Sequence, residues 1–208
     1  MDAGRIAISA AVIVVAYLIG GIPWGVVIAR LAGGPDPRTI GSGRTGGANV
    51  LRALGPRAAA ASGMLDVLKG VVAVVVAIVA GGGLLLEILA AIAAIFGHSR
   101  SPFIGFAGGR GIAPGLGGLI VIHPVAALVT IPVFVIVLVV SRYSSLASLT
   151  ATAVAAATIV VMAIAFNQSG LYIVYALLAG GMIWLFHLDN IQRLLAGSER
   201  RIEWRRKA

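Results

Sequence analysis

The sequence predicts an all-α integral membrane protein with about seven transmembrane helices, some of them short or broken, an external N-terminus and a cytoplasmic C-terminus. Three observations carry this. The chain has 208 residues, of which 60% are hydrophobic and 11% charged, with a mean hydropathy of +1.05, where a soluble domain has roughly 25% charged residues. Its apolar runs approach the roughly 20 residues that a helix needs to cross the hydrocarbon core. Its basic residues fall in alternate connections between those runs.

The apolar runs follow in chain order. Ile6 to Ala29 is the first. It begins like a signal peptide, but it continues through Ile28 with no small-residue cleavage site, so it reads as a membrane helix. Ala58 to Ala80, Val125 to Val140, Leu146 to Phe166 and Leu171 to Phe186 are further candidates. Leu84 to Phe96 and Gly111 to Ile122 are shorter. Short runs punctuated by Gly and Pro often end part-way through a bilayer and border a site. The punctuation here is Gly81 to Gly83, Gly108 to Gly111, and His123-Pro124. With no linker or fixed-period repeat, one membrane domain over 1–208 is the simplest partition, with a basic tail over 192–208.

Charge sets the topology. The first connection carries Arg38, Arg44, Arg52 and Arg57, the third Arg100 and Arg110, the fifth Arg142, and the tail Arg193, Arg200, Arg201, Arg205, Arg206 and Lys207. The second, fourth and sixth carry no Lys or Arg. Seven crossings put every basic segment except Arg5 on one side, which the positive-inside rule makes cytoplasmic. Five crossings break that agreement.

Cysteine is absent, which removes disulfides and thiolate chemistry. Four polar segments remain. In the first, Gly41, Gly43, Gly46 and Gly47 surround Ser42 and Thr45, with Arg38, Arg44 and Arg52 nearby. Such a loop can turn several backbone N–H groups toward one anion, and arginines add bidentate bonds to phosphate. A basic loop that merely follows the positive-inside rule is the plainer reading. The second is Asp66 and Lys69, which share one face of an apolar helix. They face either a site or each other as a structural ion pair. The third runs from Phe96 to Gly118, where Gly108-Gly109-Arg110-Gly111 precedes a helical run. A glycine turn entering a helix offers free N–H groups and the positive dipole end to a phosphate. His98 is open to three roles: base, hydrogen-bond donor or helix cap. The fourth begins at Phe186 and holds His187 and Asn190. His123 reads as a helix end without function. The His and acidic spacings match no metal site.

Taken together, these segments resemble the bacterial acyl-phosphate:glycerol-3-phosphate acyltransferase family over most of the chain. IPxG appears at Ile22 to Gly25, and GSGNxGATNxxR appears as GSGRTGGANVLR from Gly41 to Arg52. DxxKG appears at Asp66 to Gly70, and GHxxPxFxxFxGGKG as GHSRSPFIGFAGGRG from Gly97 to Gly111. An RYxSLxS-like helix start lies at Arg142 to Ser148, and HxxNIxRLxxGxE runs from His187 to Glu199.

The resemblance implies an enzyme of phospholipid synthesis in the cell inner (plasma) membrane, with its site on the cytoplasmic side. It would pass a fatty acyl group from acyl phosphate to the 1-hydroxyl of glycerol 3-phosphate, without cofactor or metal. Its partners would be those two substrates and membrane lipid, not nucleic acid. By position, Ser42, Arg52, His187 and Asn190 would bind glycerol 3-phosphate, and Arg110 stands where the family has a substrate-binding Lys. Gly108, Gly109 and Gly111 would face acyl phosphate. Gly41, Gly43, Asn49, Asp66, Lys69 and His98 complete the candidate substrate-binding set. The absence of an HxxxxD motif and of a GxSxG elbow fits this donor. No carboxylate stands near either His98 or His187 in sequence, which favours the substrate phosphate as base.

The chain departs from the family pattern at Arg44, Gly47, Ala48, Ala107, Arg110 and Pro114. Lys and Arg differ at a phosphate, a point charge against a planar fork. Two alternatives stand beside the main reading: a divergent acyltransferase with another acceptor, and a transporter or binder of a small phosphorylated anion. The charge pattern predicts that reporter fusions at Arg44, Arg100, Arg142 and Arg205 lie in the cytoplasm and those at Gly82, His123 and Gln168 outside. Arg44 and Arg100 on opposite faces would end the single-site reading.

Overall fold

The computed structural model describes residues 2–203. Arg205, Arg206 and Lys207 of the predicted tail lie outside the described residues. The elements are α1 (Ala3–Gly21), α2 (Trp24–Leu31), α3 (Gly47–Leu54), α4 (Pro56–Val79), α5 (Gly83–Ser99), α6 (Ile112–Ile122), α7 (Pro124–Ser141), α8 (Ser144–Ala165), α9 (Leu171–Leu185) and α10 (Leu188–Leu195), with 3-10 turns at Pro37–Thr39 and Pro102–Ile104. No strand occurs among the described residues. The chain divides into two compact units, Met1–Pro124 and Val125–Ala208.

Several runs differ from their sequence reading. The run Ile6 to Ala29 is not one helix: α1 ends at Gly21 and α2 begins at Trp24. Pro23 explains the break, because proline disfavours α geometry in the residue before it and lacks an N–H. The run from Leu84 is longer than its apolar stretch suggests, since α5 reaches Ser99 and belongs to a 22-residue candidate span, Gly83–Ile104. The opposite holds for Leu171 to Phe186. At 15 residues α9 is long enough only together with α10, from which it bends by 62°. Five helices are individually long and apolar enough to cross a membrane. With 11 residues, α6 measures about 16 Å, roughly half of a bilayer core.

The first unit is held by small residues. Val12 and Ala16 of α1, Ala73 and Ala77 of α4, and Leu86, Ala90 and Ala94 of α5 form a buried cluster. Between helices in lipid, close van der Waals packing replaces the hydrophobic drive, and small residues permit it. Two seams show this at backbone level. A Cβ on Gly20 would strike the backbone of Ala94, and one on Gly97 would strike the carbonyl of Tyr17, so α1 and α5 touch main chain to main chain. A Cβ on Gly70 would strike Pro114, and one on Gly117 would strike Val67, so α4 and α6 do the same.

These seams fix where the loops lie. Tyr17 donates to the carbonyl of Arg100 at 2.9 Å, and Ser101 donates to the carbonyl of Gly21 at 2.6 Å. The end of α1 and the end of α5 therefore share one side of the unit. Arg5 reaches the carbonyl of Gly81 at the other.

In the second unit, α8 packs on α9, and α10 returns to α8. Arg142, with φ +64, makes the tight turn between α7 and α8. The predicted tail over 192–208 is partly built structure: its first residues finish α10, and Ile202 is buried and donates its N–H to the carbonyl of Arg142 at 2.8 Å.

The α4–α6 seam has no room for a side chain. Gly70→Val should destabilise the purified protein by about 1–3 kcal/mol or more, read as a lower unfolding midpoint in detergent. A wild-type midpoint would show that the helices can move apart freely.

Candidate functional site

The glycine loop of the first unit is shaped by one amide. Asn49, buried in the first turn of α3, uses both ends of its side chain on the loop before it. Its Nδ2 donates to the Ser42 hydroxyl at 3.1 Å and to the carbonyl of Arg44 at 2.9 Å. Its Oδ1 accepts from the Ser42 N–H at 3.4 Å and from Arg52 Nη1 at 2.9 Å. Ser42 and Arg52 are thereby brought together, as the sequence predicts. Gly41, with φ +62, sits so close that a Cβ would strike Asn49 Oδ1. Both its backbone angle and its contact require glycine.

Asn49, which the sequence assigns to substrate, has its amide committed to the loop. Arg38, also expected to reach phosphate, donates through Nε and Nη2 to Asp36 at 3.1 and 2.7 Å. Those bonds hold the Asp36 carboxyl below its ordinary pKa. Past the loop, α3 begins at Gly47 with Gly46 as its N-cap and no side-chain cap.

The second group lies below this loop. Lys69 pairs with Asp66 at 2.7 Å and donates to the carbonyl of Ile22 at 2.9 Å. Its Nζ also lies 2.9 Å from His98 Nδ1. All three side chains are buried. Sequence distance suggests that His98 has no carboxylate near it, and the structure corrects this: Asp66 Oδ1 lies 3.6 Å from His98 Nδ1. The two residues sit on different helices, α4 and α5, and helix pairing brings them together.

From His98 the group continues into the GGRG turn. After leaving α5 the chain makes an exposed excursion, then returns so that Gly109 N–H donates to the carbonyl of His98 at 3.0 Å. A Cβ on Gly108 would strike that carbonyl, and one on Gly109 would strike His98 Nε2. Gly111, with φ +82, lies against Ile95. The start of α6 is thus recessed to the level of the last turn of α5. Gly111 is its N-cap, with no side-chain cap, as a phosphate-facing helix start requires.

Contacts link the two glycine turns. The carbonyl of Thr45 lies against Gly25, just past the Ile22-Pro23 break. Ile22 binds Lys69, Lys69 reaches His98, and His98 carries Gly109. Two uncapped helix N-termini, each preceded by glycines and arginine, therefore stand on one side of this unit.

In the second unit, His187 ends α9, with Nδ1 2.8 Å from the carbonyl of Ile183. Asn190, buried on α10, donates to Glu199 at 2.8 Å. Glu199 also accepts from the Ser145 hydroxyl at 3.0 Å and from Arg193 Nε at 2.7 Å. Arg193, expected to be only an anchor, is thus part of a clasp. Glu199 and Ser145 were not among the predicted site residues. The signal that could have found them was the acidic residue closing the His187 to Glu199 motif.

The model of a family described as "Glycerol-3-phosphate acyltransferase" matches residues 10–197. The chain belongs to the glycerol-3-phosphate acyltransferase family. A glycerol-3-phosphate acyltransferase of Bordetella petrii is 43% identical, covering 99% of this chain and 98% of its own. Glycerol-3-phosphate acyltransferase 3 of Dehalococcoides mccartyi is 40% identical, covering 92% and 94%. Among solved structures, the glycerol 3-phosphate form of PlsY (YgiH), an integral membrane glycerol 3-phosphate acyltransferase, superposes with a TM-score of 0.85 at 35% identity, covering 94% of this chain and 96% of that one. Its lysophosphatidic acid form gives 0.83 at 34% identity. The family resemblance drawn from the motifs is borne out, as is the helical membrane fold.

Asn49→Ala should release the loop, because it leaves the Ser42 hydroxyl, the Arg44 carbonyl and Arg52 Nη1 without this partner. The loss should be about 1–3 kcal/mol, seen as faster hydrogen–deuterium exchange over residues 41–48. Unchanged exchange would show that the loop keeps its shape without Asn49.

Proposed function

We propose that the protein transfers a fatty acyl group from acyl phosphate to the 1-hydroxyl of glycerol 3-phosphate, giving lysophosphatidic acid and inorganic phosphate. The observation that carries this reading is the pair of glycine-fed, uncapped helix starts on one side of the first unit. The reaction brings together two phosphate-bearing molecules, and each cradle suits one. Ser42 and Arg52, joined through Asn49, hold the phosphate of glycerol 3-phosphate. The GGRG turn, Arg110 and the start of α6 hold the acyl phosphate. The assignment of His187 and Asn190 to glycerol 3-phosphate rests on the motif from His187 to Glu199.

The chemistry asks little of a nucleophile, since an acyl phosphate is already activated. The glycerol hydroxyl oxygen attacks the acyl carbonyl carbon, and the bond from that carbon to the phosphate oxygen breaks. The departing phosphate keeps the electron pair, and the hydroxyl proton passes to the phosphate of glycerol 3-phosphate. The protein's part is to hold two anions together against their repulsion, which arginines and oriented N–H groups do best away from water. The basic connections place the site on the cytoplasmic side of the plasma membrane.

Purified protein should release phosphate only when given both acyl phosphate and glycerol 3-phosphate. Arg52→Ala should lower kcat/KM by about ten- to a hundredfold, the loss of one charge-assisted hydrogen bond. Arg110→Ala should abolish activity. Arg110→Lys should be poor, because the neighbouring change at Ala107 suits a planar fork at 110. Turnover with acyl-CoA but not acyl phosphate would sink the donor assignment, and wild-type rates in Arg110→Ala would remove the GGRG turn from the site.

A further inference from the structure

His98 meets different chemistry on its two ring nitrogens. On one side, Nδ1 lies 2.9 Å from Lys69 Nζ and 3.6 Å from Asp66 Oδ1. On the other, Nε2 faces Gly109 so closely that no side chain fits between them. Lys69 decides the first side. An ammonium donates three hydrogen bonds and accepts none. Its three acceptors are Asp66 Oδ1 at 2.7 Å, the Ile22 carbonyl at 2.9 Å and His98 Nδ1 at 2.9 Å. Asp66 at 3.6 Å is beyond hydrogen-bond distance of the ring.

Charge agrees with geometry. Lys69 and Asp66 neutralise each other in a buried cluster, and a protonated imidazole would add an uncompensated charge there. The ring is neutral, with its proton on Nε2.

We propose that Lys69 is a positioning residue that fixes His98 as its Nε2–H tautomer, so that His98 offers a hydrogen-bond donor, not a base, to the phosphate held at the GGRG turn. The inference rests on the reading of that turn as the acyl phosphate cradle. The carbonyl of His98 already holds Gly109 N–H at 3.0 Å, so one residue sets both the turn and the donor beside it. Lys69 touches no substrate. It acts through His98 and, by its bond to Ile22, through the break between α1 and α2.

The test is ring ¹⁵N nuclear magnetic resonance on the full chain in lipid nanodiscs, with His98 signals assigned by their loss in His98→Gln. Wild type should show a protonated Nε2 and a bare, hydrogen-bonded Nδ1. Lys69→Gln leaves Asp66 unpaired and risks misfolding, so the informative variant pairs Lys69→Gln with Asp66→Asn. It should give a mixed tautomer and a KM for acyl phosphate raised by about tenfold, the loss of one hydrogen bond, with the KM for glycerol 3-phosphate unchanged. A proton on Nδ1, or on both nitrogens, in wild type would overturn the proposal. So would both KM values rising together as the unfolding midpoint falls, which is the mark of a structural role alone. A wild-type chain with the Nε2–H signature but no turnover would support the Lys69–His98 assignment and sink the functional reading.

Discussion

A single buried ammonium ties the first unit together. Lys69 binds Asp66 on its own helix, the last carbonyl of α1 before the Ile22-Pro23 break, and the ring of His98 on α5. Three helices and the start of both polar segments depend on it. An unpaired charge at this depth is costly, so the acceptors must be where they are, and the helices that carry them must pack closely. The glycine seams at Gly20, Gly97, Gly70 and Gly117 allow that approach. The broken first helix belongs to the same arrangement, since the break leaves the Ile22 carbonyl without the helical partner that a continuous helix would supply.

Much of this was legible in the sequence because lipid restricts what a chain can do. Apolar runs became helices, and glycines flanking Ser42 and Arg110 became turns entering helices. The pairing of Asp66 with Lys69 followed from helical spacing alone. What was hidden falls into two kinds. The break at Pro23 was readable from proline chemistry but was masked by the unbroken apolar run around it. The contacts of His98 with Asp66 and of Asn190 with Glu199 were hidden for another reason. Each joins residues whose separation depends on tertiary packing or on a turn, and one sequence does not report it.

The loop around Asn49 shows how a polar motif divides its labour. Four residue types there bond phosphate readily: Ser, Thr, Asn and Arg. In the fold, Thr45 is buried, Asn49 is the scaffold, and Arg38 is held by Asp36. Ser42 and Arg52 are half-exposed and share the side chain that positions them. Composition identifies the loop, and burial separates the residues that build it from those that face outward.

The spacing of Asp66 and Lys69 has a consequence for how the protein enters its membrane. Helices leave the ribosome in order, so α4 reaches the bilayer after α1 but before α5. On insertion scales each isolated charge opposes this step by about 3 kcal/mol. Because the carboxylate lies one turn from the ammonium on the same helix, α4 brings its own counterion. The Ile22 carbonyl is already in place to receive the next bond, and only the contact with His98 waits for the following helix. The most polar point of the core is therefore partnered at every stage of insertion.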